Sequence, residues 1–228
     1  DGQRLMLISG NYGEDGSEYY TEVFNGSKII LHDDNVNGFQ WFEVLTKDGK
    51  TIEYGKTQGS KFLNQFDQNV ISWNVNKITD ANGNYIEFYY AVQDLEFRLV
   101  EIKYTGNNDA TPALEPYNSV KFFYTERADK EQAYINGCKI VSTSLLSRIE
   151  IRSEKKLIKT YTLKHYFSDY SMLNEVEEYG SDGTKYNSLI FGYEEKTPVV
   201  SNTKQALSEF WGDREQLYYG DFNGDGLT

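Results

Sequence analysis

Cysteine is nearly missing from this 228-residue sequence: Cys138 stands alone, so no disulfide can close within the chain. It follows Asn136-Gly137, a turn signal, and reads as a small residue beside a turn rather than as a nucleophile. Histidine is as scarce. His32 and His165 are the only two, and neither has the Cys, His or carboxylate spacing of a metal site or a catalytic triad. No apolar run approaches the length of a membrane-spanning helix, and no signal peptide is visible. Positive charge is in deficit, with 23 Lys and Arg against 35 Asp and Glu and a net charge of -12. That balance argues against nucleic acid or an anionic membrane as partner, and suits a soluble protein or one that binds cations. The chain opens on Asp1-Gly2, has its first methionine at Met6 and stops at Thr228 inside a motif. Both ends are therefore expected to be cuts in a longer protein.

Aromatic residues are abundant. They make up 15% of the chain, with 19 Tyr and 13 Phe, and hydrophobic residues make up 39%, far too much for a disordered segment. The length suffices for one large all-β domain or two small ones. With 3 Pro and 19 Gly, punctuation falls to glycine turns. The clearest is Lys77–Tyr90 (KITDANGNYIEFYY), which reads as strand, turn, strand. Asn82-Gly83 is the strongest short hairpin signal, because both residues tolerate the positive φ of a tight turn. Tyr85, Ile86, Phe88, Tyr89 and Tyr90 behind it fit a pleated surface. The device recurs at Asp48-Gly49 and Asp182-Gly183.

Taken in order, Arg4–Ser9 reads as a buried strand, and Ser17–Phe24 with Ser27–Leu31 as a hairpin turning at Asn25-Gly26. Lys56–Asp67 is the least β-like part, a polar linker anchored by Phe62, Leu63 and Phe66 with room for a helical turn. Val70–Val75 is expected to lead into the central hairpin. Phe97–Tyr104 and Val120–Tyr124 read as strands, and Arg127–Ala133 as a loop or one helical turn. Leu145–Arg152 and Leu157–Phe167 flank Ser153–Lys156 as a further hairpin. No segment carries a long 3.6-residue apolar period. The expected fold is all-β: an antiparallel meander of hairpins forming a large curved sheet or a sandwich.

Chemistry-bearing patterns are few. Asp33-Asp34, Glu177-Glu178 and Glu194-Glu195 are paired carboxylates, but neighbours on a strand point to opposite faces, so these pairs do not form a glycosidase-type site. Trp41, Trp73 and Trp211 suggest either a sugar-stacking platform or core, and their apolar surroundings favour core. The loop Asn11–Gly16 offers nothing beyond its glycines. The sharpest pattern is DFNGDG, Asp221–Gly226. Asp221, Asn223 and Asp225 alternate, so a turning loop aims three oxygen side chains at one point, the first half of D-x-[DN]-x-[DN]-G. Read blandly, it is a solvated turn.

Two groups of residues carry a resemblance. DGQRLMLISG, YYTEV, WFEVLTKDGKTIEYG, ISWNVNKITDANGNYIEFYY, LVEIKYTGN, NSVKFFYTER and LSRIEIRSEKKLIKTYTLKHY, in that order from Asp1 to Tyr193, resemble the SpvB-type region near the N-terminus of bacterial toxin-complex B subunits and related virulence proteins. These belong with the YD-repeat (Rhs-type) proteins. The DFNGDG loop resembles the start of an FG-GAP/VCBS-type repeat, a calcium-loop unit of β-propeller blades, although the chain ends before the last acidic position of that pattern.

The resemblance implies a module over 1–195, a linker over 196–209 and the start of a truncated repeat over 210–228. It implies a non-enzymatic scaffold of a secreted or cell-surface toxin-like protein, a shell enclosing a separate toxic domain. Its partners would be other domains of the same chain, with no membrane insertion by this piece. Calcium would sit at Asp221, Asn223 and Asp225 in the full-length protein. A carbohydrate- or protein-binding surface module and a glycoside hydrolase fragment are the competing readings.

Overall fold

The computed structural model describes residues 3–33, 40–93, 95–135 and 137–194. Fifteen strands follow in chain order: β1 (Leu5–Ser9), β2 (Glu18–Thr21), β3 (Lys28–Asp33), β4 (Gln40–Leu45), β5 (Thr51–Tyr54), β6 (Lys61–Leu63), β7 (Val70–Trp73), β8 (Val75–Thr79), β9 (Asn84–Gln93), β10 (Glu96–Asn107), β11 (Asn118–Ile135), β12 (Cys138–Ser153), β13 (Lys156–Phe167), β14 (Ser171–Gly180) and β15 (Leu189–Ile190). Thirteen of them make one sheet in which every strand but one neighbours its successor. The exception is the step from β5 to β8, where β6 and β7 leave to pair with each other. All pairings are antiparallel. Of the two expected forms, sheet or sandwich, the chain takes the single wide sheet.

One layer exposes two faces, so most strand residues are only half-buried. Among the described residues the buried hydrophobics are Tyr19, Ile29, Leu31, Phe62, Tyr85 and Cys138. Tyr19, Ile29 and Leu31 form a small core with Leu5, Phe42 and Val44 against it. Register explains the cluster, since Tyr19 lies opposite Ile29, Ile29 opposite Val44 and Leu31 opposite Phe42, all on one face.

The three expected glycine turns lie where the sequence placed them but close differently. At Asp48-Gly49, the Gly49 amide donates to Thr46 O (3.0 Å) and the Thr46 amide to Lys50 O (2.9 Å). At Asn82-Gly83, Gly83 donates to Asp80 O (3.1 Å) and Asp80 to Asn84 O (2.9 Å). Gly180 and Thr184 repeat the pattern around Asp182-Gly183. Only the glycines have positive φ, at 79°, 74° and 81°. These are three-residue loops, a tight turn ending in a left-handed glycine, and not two-residue turns with both residues at positive φ. The two-residue form occurs instead at Glu154 and Lys155, at φ 48° and 68°, without a glycine.

Gly83→Val should destabilise the protein by about 1–3 kcal/mol, since a side chain there is strained at positive φ and meets a neighbour. Its Cβ would come within 2.5 Å of the Asp109 carboxylate. A urea titration reads this, and an unchanged midpoint would show that the turn is not held in this form.

Several expectations need correction. Arg4–Ser9 is not buried. β1 lies at the margin of the sheet with Met6, Leu7 and Ile8 exposed, because it has a strand on one side only. Val70–Val75 does not run straight into the central hairpin. Its first four residues are β7, paired with β6, and Asn74 separates them from β8. The helical turn foreseen in Lys56–Asp67 is a short 3-10 turn at Gln58–Ser60. Of the three anchors there, Phe62 is buried and meets the Phe97 ring at 5.9 Å, whereas Phe66 is exposed.

Arg127–Ala133 is neither loop nor helix. It belongs to β11, which continues to Ile135 against β12. The ladder jumps between Glu126 and Glu131, so the charged residues between them bulge out and can reach partners away from the ladder.

Candidate functional site

A polar concavity of the sheet arises where β10 and β11 part. The two pair only from Glu101 to Tyr104 against Lys121 to Asn118, although β10 starts at Glu96 and β11 runs on to Ile135. Where they diverge, a cleft of about 450 Å³ is lined by Gln93, Arg98, Tyr124, Thr125, Lys130 and Ser144, among others. The Tyr124 hydroxyl donates to Leu99 O (2.7 Å), and the Arg98 guanidinium lies 5.2 Å from the Tyr124 ring centroid.

Glu96 spans this gap to β12. Its Oε1 accepts the amides of Thr143 (3.1 Å) and Ser144 (3.2 Å), and its Oε2 accepts their hydroxyls (2.8 and 2.7 Å). Arg98 donates to Ser144 Oγ (2.6 Å) and Gln93 Oε1 (2.8 Å). Burial disfavours the charge on Glu96. The hydroxyls of Ser144 and Thr143, the Thr143 amide and Arg98 outweigh it, and the carboxyl sits below its ordinary value. A carboxylate so stabilised is a weak base, and both hydroxyls are committed to it. The arrangement works as a clamp between strands that are not sheet neighbours.

The bulge of β11 makes a second clamp. Arg127 binds Asp129 through Nε and Nη2 (3.1 Å each) and donates to Ser142 Oγ (2.7 Å). Asp129 in turn accepts the Ser171 amide (2.7 Å) and hydroxyl at the start of β14. The Arg127 guanidinium and then Ser171 hold the Asp129 carboxyl far below the carboxylate range.

The third cluster centres on Glu177 in β14, which is 4% exposed. It accepts Lys164 Nζ (2.7 Å), Lys185 Nζ (2.5 Å) and the Tyr179 hydroxyl (2.9 Å). The two ammonium groups bring its carboxyl down to about 2. A carboxyl lowered in the folded state contributes stability that is complete above its unfolded pKa of about 4.3 and is lost as pH falls through the folded value. Glu177→Gln should therefore lower the urea midpoint at neutral pH and reduce the fall of the midpoint between about pH 5 and 2. An acid limb identical in variant and wild type would refute this.

The residues singled out from sequence do not converge. Glu178, next to Glu177, pairs with Lys159 (2.6 Å), as alternation along a strand dictates. Asp33 lies at the end of β3, whereas Asp34 and Glu195 fall outside the described residues. His32 stacks on Trp41 at 4.2 Å and bonds Glu43 at 3.1 Å. Lys56 Nζ also lies 4.5 Å from the Trp41 ring centroid, while Trp73 donates to Gln40 O (2.8 Å) and meets Phe42 edge-on. The two rings are thus engaged by different neighbours and form no shared platform. In the Asn11–Gly16 loop, Gly13 donates to the Tyr19 hydroxyl and Gly16 to Leu31 O, which turns those donors inward. Asp221, Asn223, Asp225 and Trp211 lie outside the described residues. Glu96 and Asp129 escaped sequence reasoning because the strands they clamp lie 42 to 48 positions away, with no local pattern linking them.

Among the described residues no group of three or more His, Cys, Asp or Glu is placed to hold a metal ion, and no helix is long and apolar enough to cross a membrane.

Comparison with known proteins identifies the architecture. Residues 27–135 match the family model SpvB, described as the Salmonella virulence plasmid 65kDa B protein. No curated protein matches the chain. Among solved structures, the fold is similar to a chain in the crystal structure of TcdB2–TccC3–Cdc42 (TM-score 0.66, 13% identity, covering 85% of this chain and 12% of that one). It is also similar to the N-terminal domain of effector protein SpvB from Salmonella typhimurium strain LT2 (TM-score 0.62, 13% identity, covering 84% and 71%). A third match is the Photorhabdus luminescens Tc holotoxin pore (TM-score 0.68, 13% identity, covering 85% and 12%). This chain thus spans about an eighth of the toxin-complex chains it matches and most of the effector domain. Residues 27–135 are thus an SpvB-type region by the family match, and the fold is one that these solved structures share.

Proposed function

We propose that this chain is a non-enzymatic wall segment of a large secreted toxin-type protein of the SpvB/YD-repeat kind. The observation that carries the reading is the single sheet of thirteen strands laid down almost in chain order. Among the described residues its margins, β1 and β15, each have a strand on one side only, and both present exposed apolar side chains, Met6, Leu7 and Ile8 at one and Leu189 and Ile190 at the other. Such a layer gains most by pairing and packing with further parts of the same polypeptide. The clamps at Glu96 and Asp129 serve that role, since each fixes strands that the ladder leaves apart. Similarity to much longer toxin-complex chains supports it. Within the parent protein the segment would help enclose a toxin domain.

The reading is tested in the parent protein by limited proteolysis of the toxin domain that the wall would enclose, with and without the Glu96→Ala and Asp129→Ala pair. Protection that weakens in the double variant supports a wall. Equal cleavage in both would overturn it. Turnover of a glycoside or ester substrate that one Asp or Glu substitution abolishes would establish an enzyme instead, and selective glycan-array binding a recognition module.

The calcium reading belongs to the same proposal. Asp221, Asn223 and Asp225 offer only oxygen donors, which suits a hard divalent cation, and a later carboxylate would complete the set. Calcium titrated into this chain should bind weakly or not at all, and bind tightly to a version extended by one repeat. Equal, tight binding by both would refute the need for the later ligand.

A further inference from the structure

The sequence contains five Asn-Gly pairs, and two of them, Asn25-Gly26 and Asn82-Gly83, lie wholly within the described residues, each in a hairpin connection. In any Asn-Gly pair the glycine amide nitrogen can attack the asparagine side-chain carbonyl, because glycine places no side chain in the way. The structure separates the two pairs.

We propose that Asn25 is a site of spontaneous deamidation and backbone isomerisation, and that the fold shields Asn82 from the same reaction. In the first step the deprotonated amide nitrogen of Gly26 attacks Asn25 Cγ. The new N–Cγ bond closes a five-membered imide, the Cγ–Nδ2 bond breaks, and Nδ2 takes a proton from water, replacing the one that solvent removed from the Gly26 amide, and leaves as ammonia. Water then opens the imide at either carbonyl, giving aspartate or isoaspartate. No oxidant or reductant is needed.

Three features favour the reaction at Asn25. Its side chain is exposed, and Gly26 has a φ of 85° in a connection outside any strand. The Gly26 amide donates to no acceptor among the described residues, so the nucleophile is not held by a turn. The Ser27 amide donates to Asn25 Oδ1 at 3.0 Å, and this oxygen carries the negative charge of the tetrahedral intermediate. A donor already aimed at a developing oxyanion lowers the barrier.

Asn82 is likewise exposed beside a glycine at positive φ, 74°, outside any strand, but the other two features are reversed or missing. The Gly83 amide is engaged with Asp80 O at 3.1 Å. Gly83 O accepts the Asn108 amide at 2.9 Å, and Asn82 O accepts Asn107 Nδ2 at 3.2 Å. The Asp109 carboxylate lies 2.5 Å from where a Gly83 Cβ would stand, and Asp80 is adjacent. Imide closure there must break the turn and bring an anionic nitrogen between two carboxylates.

The product has a defined location. Lys47 side-chain carbons lie 3.3 to 3.8 Å from the Cβ position of Gly26, so a new carboxylate at residue 25 arises beside a lysine. Isoaspartate there also adds a methylene to the backbone between β2 and β3.

The test is to age the intact protein at mildly alkaline pH and quantify isoaspartyl peptides by mass spectrometry. A parallel sample is held in denaturant. One turn hydrogen bond that must open first corresponds to about tenfold in rate, so in the folded protein Asn25 should convert at least about tenfold faster than Asn82. In denaturant the two rates should converge. Asn82 reacting as fast as Asn25 in the folded protein would overturn the proposal, as would a rate ratio that denaturation leaves unchanged.

Discussion

Gly55→Val should lose about 2–4 kcal/mol of folding stability, from a left-handed backbone that resists any Cβ and from overpacking. Gly55 has a φ of 70°, and a Cβ there would lie 2.4 Å from Trp73 Cδ1 and 3.0 and 3.1 Å from its Cγ and Cβ. Trp73 has little freedom to yield. Its indole N–H is bonded to Gln40 O and its ring meets Phe42 at 5.2 Å. The Gly55 amide is itself bonded to Asn74 O (2.9 Å), at the point where the chain leaves the main sheet for the β6–β7 ribbon. A double-mutant cycle separates the two effects. In a Trp73→Ala background, Gly55→Ala should cost only the backbone part, about 1 kcal/mol. If Gly55→Ala costs the same in both backgrounds, steric contact with Trp73 is not the cause.

Glu96→Ala should be nearly as damaging, at about 3 kcal/mol, because it strips four donors of one acceptor group at a site that is 8% exposed. Glu96→Gln should fall between variant and wild type, since one amide oxygen can still serve part of the set. Hydrogen exchange gives the local readout. The Thr143 and Ser144 amides should lose protection while the Glu101–Lys121 pairing, formed by the ladder alone, keeps its own. Unchanged exchange at both amides would mean that Glu96 does not hold them.

Turn positions were legible in the sequence because Asn-Gly and Asp-Gly are strong local signals, and local signals fix where a meander reverses. Their conformation was not, since whether Asn82 joins Gly83 at positive φ depends on how many residues the two strands leave unpaired. Arg127–Ala133 was opaque for a different reason. Charge density suggested solvent, yet Arg127 and Asp129 meet each other, Ser142 and Ser171, and the last of these is 42 residues further on. Composition likewise misled at Arg4–Ser9, where an apolar run implied burial that a margin of a single layer cannot supply. The candidate site was the least legible part. Adjacency drew attention to Glu177 and Glu178, which turn to different lysines, and none to Glu96, whose partners only the fold brings near.

Because sheet order nearly repeats chain order, almost every strand pairing among the described residues joins segments a single hairpin apart. Closing such a loop loses little chain entropy, so each strand can add to a finished neighbour without waiting for the remainder. The polypeptide can then assemble row by row as it emerges, much as a repeat array propagates from any formed unit. The β5-to-β8 step is the exception, since β8 finds its place only after the β6–β7 ribbon has been made or set aside. Assembly should pause at that point, and residues 55–74 should be where a half-built chain is most open to a protease.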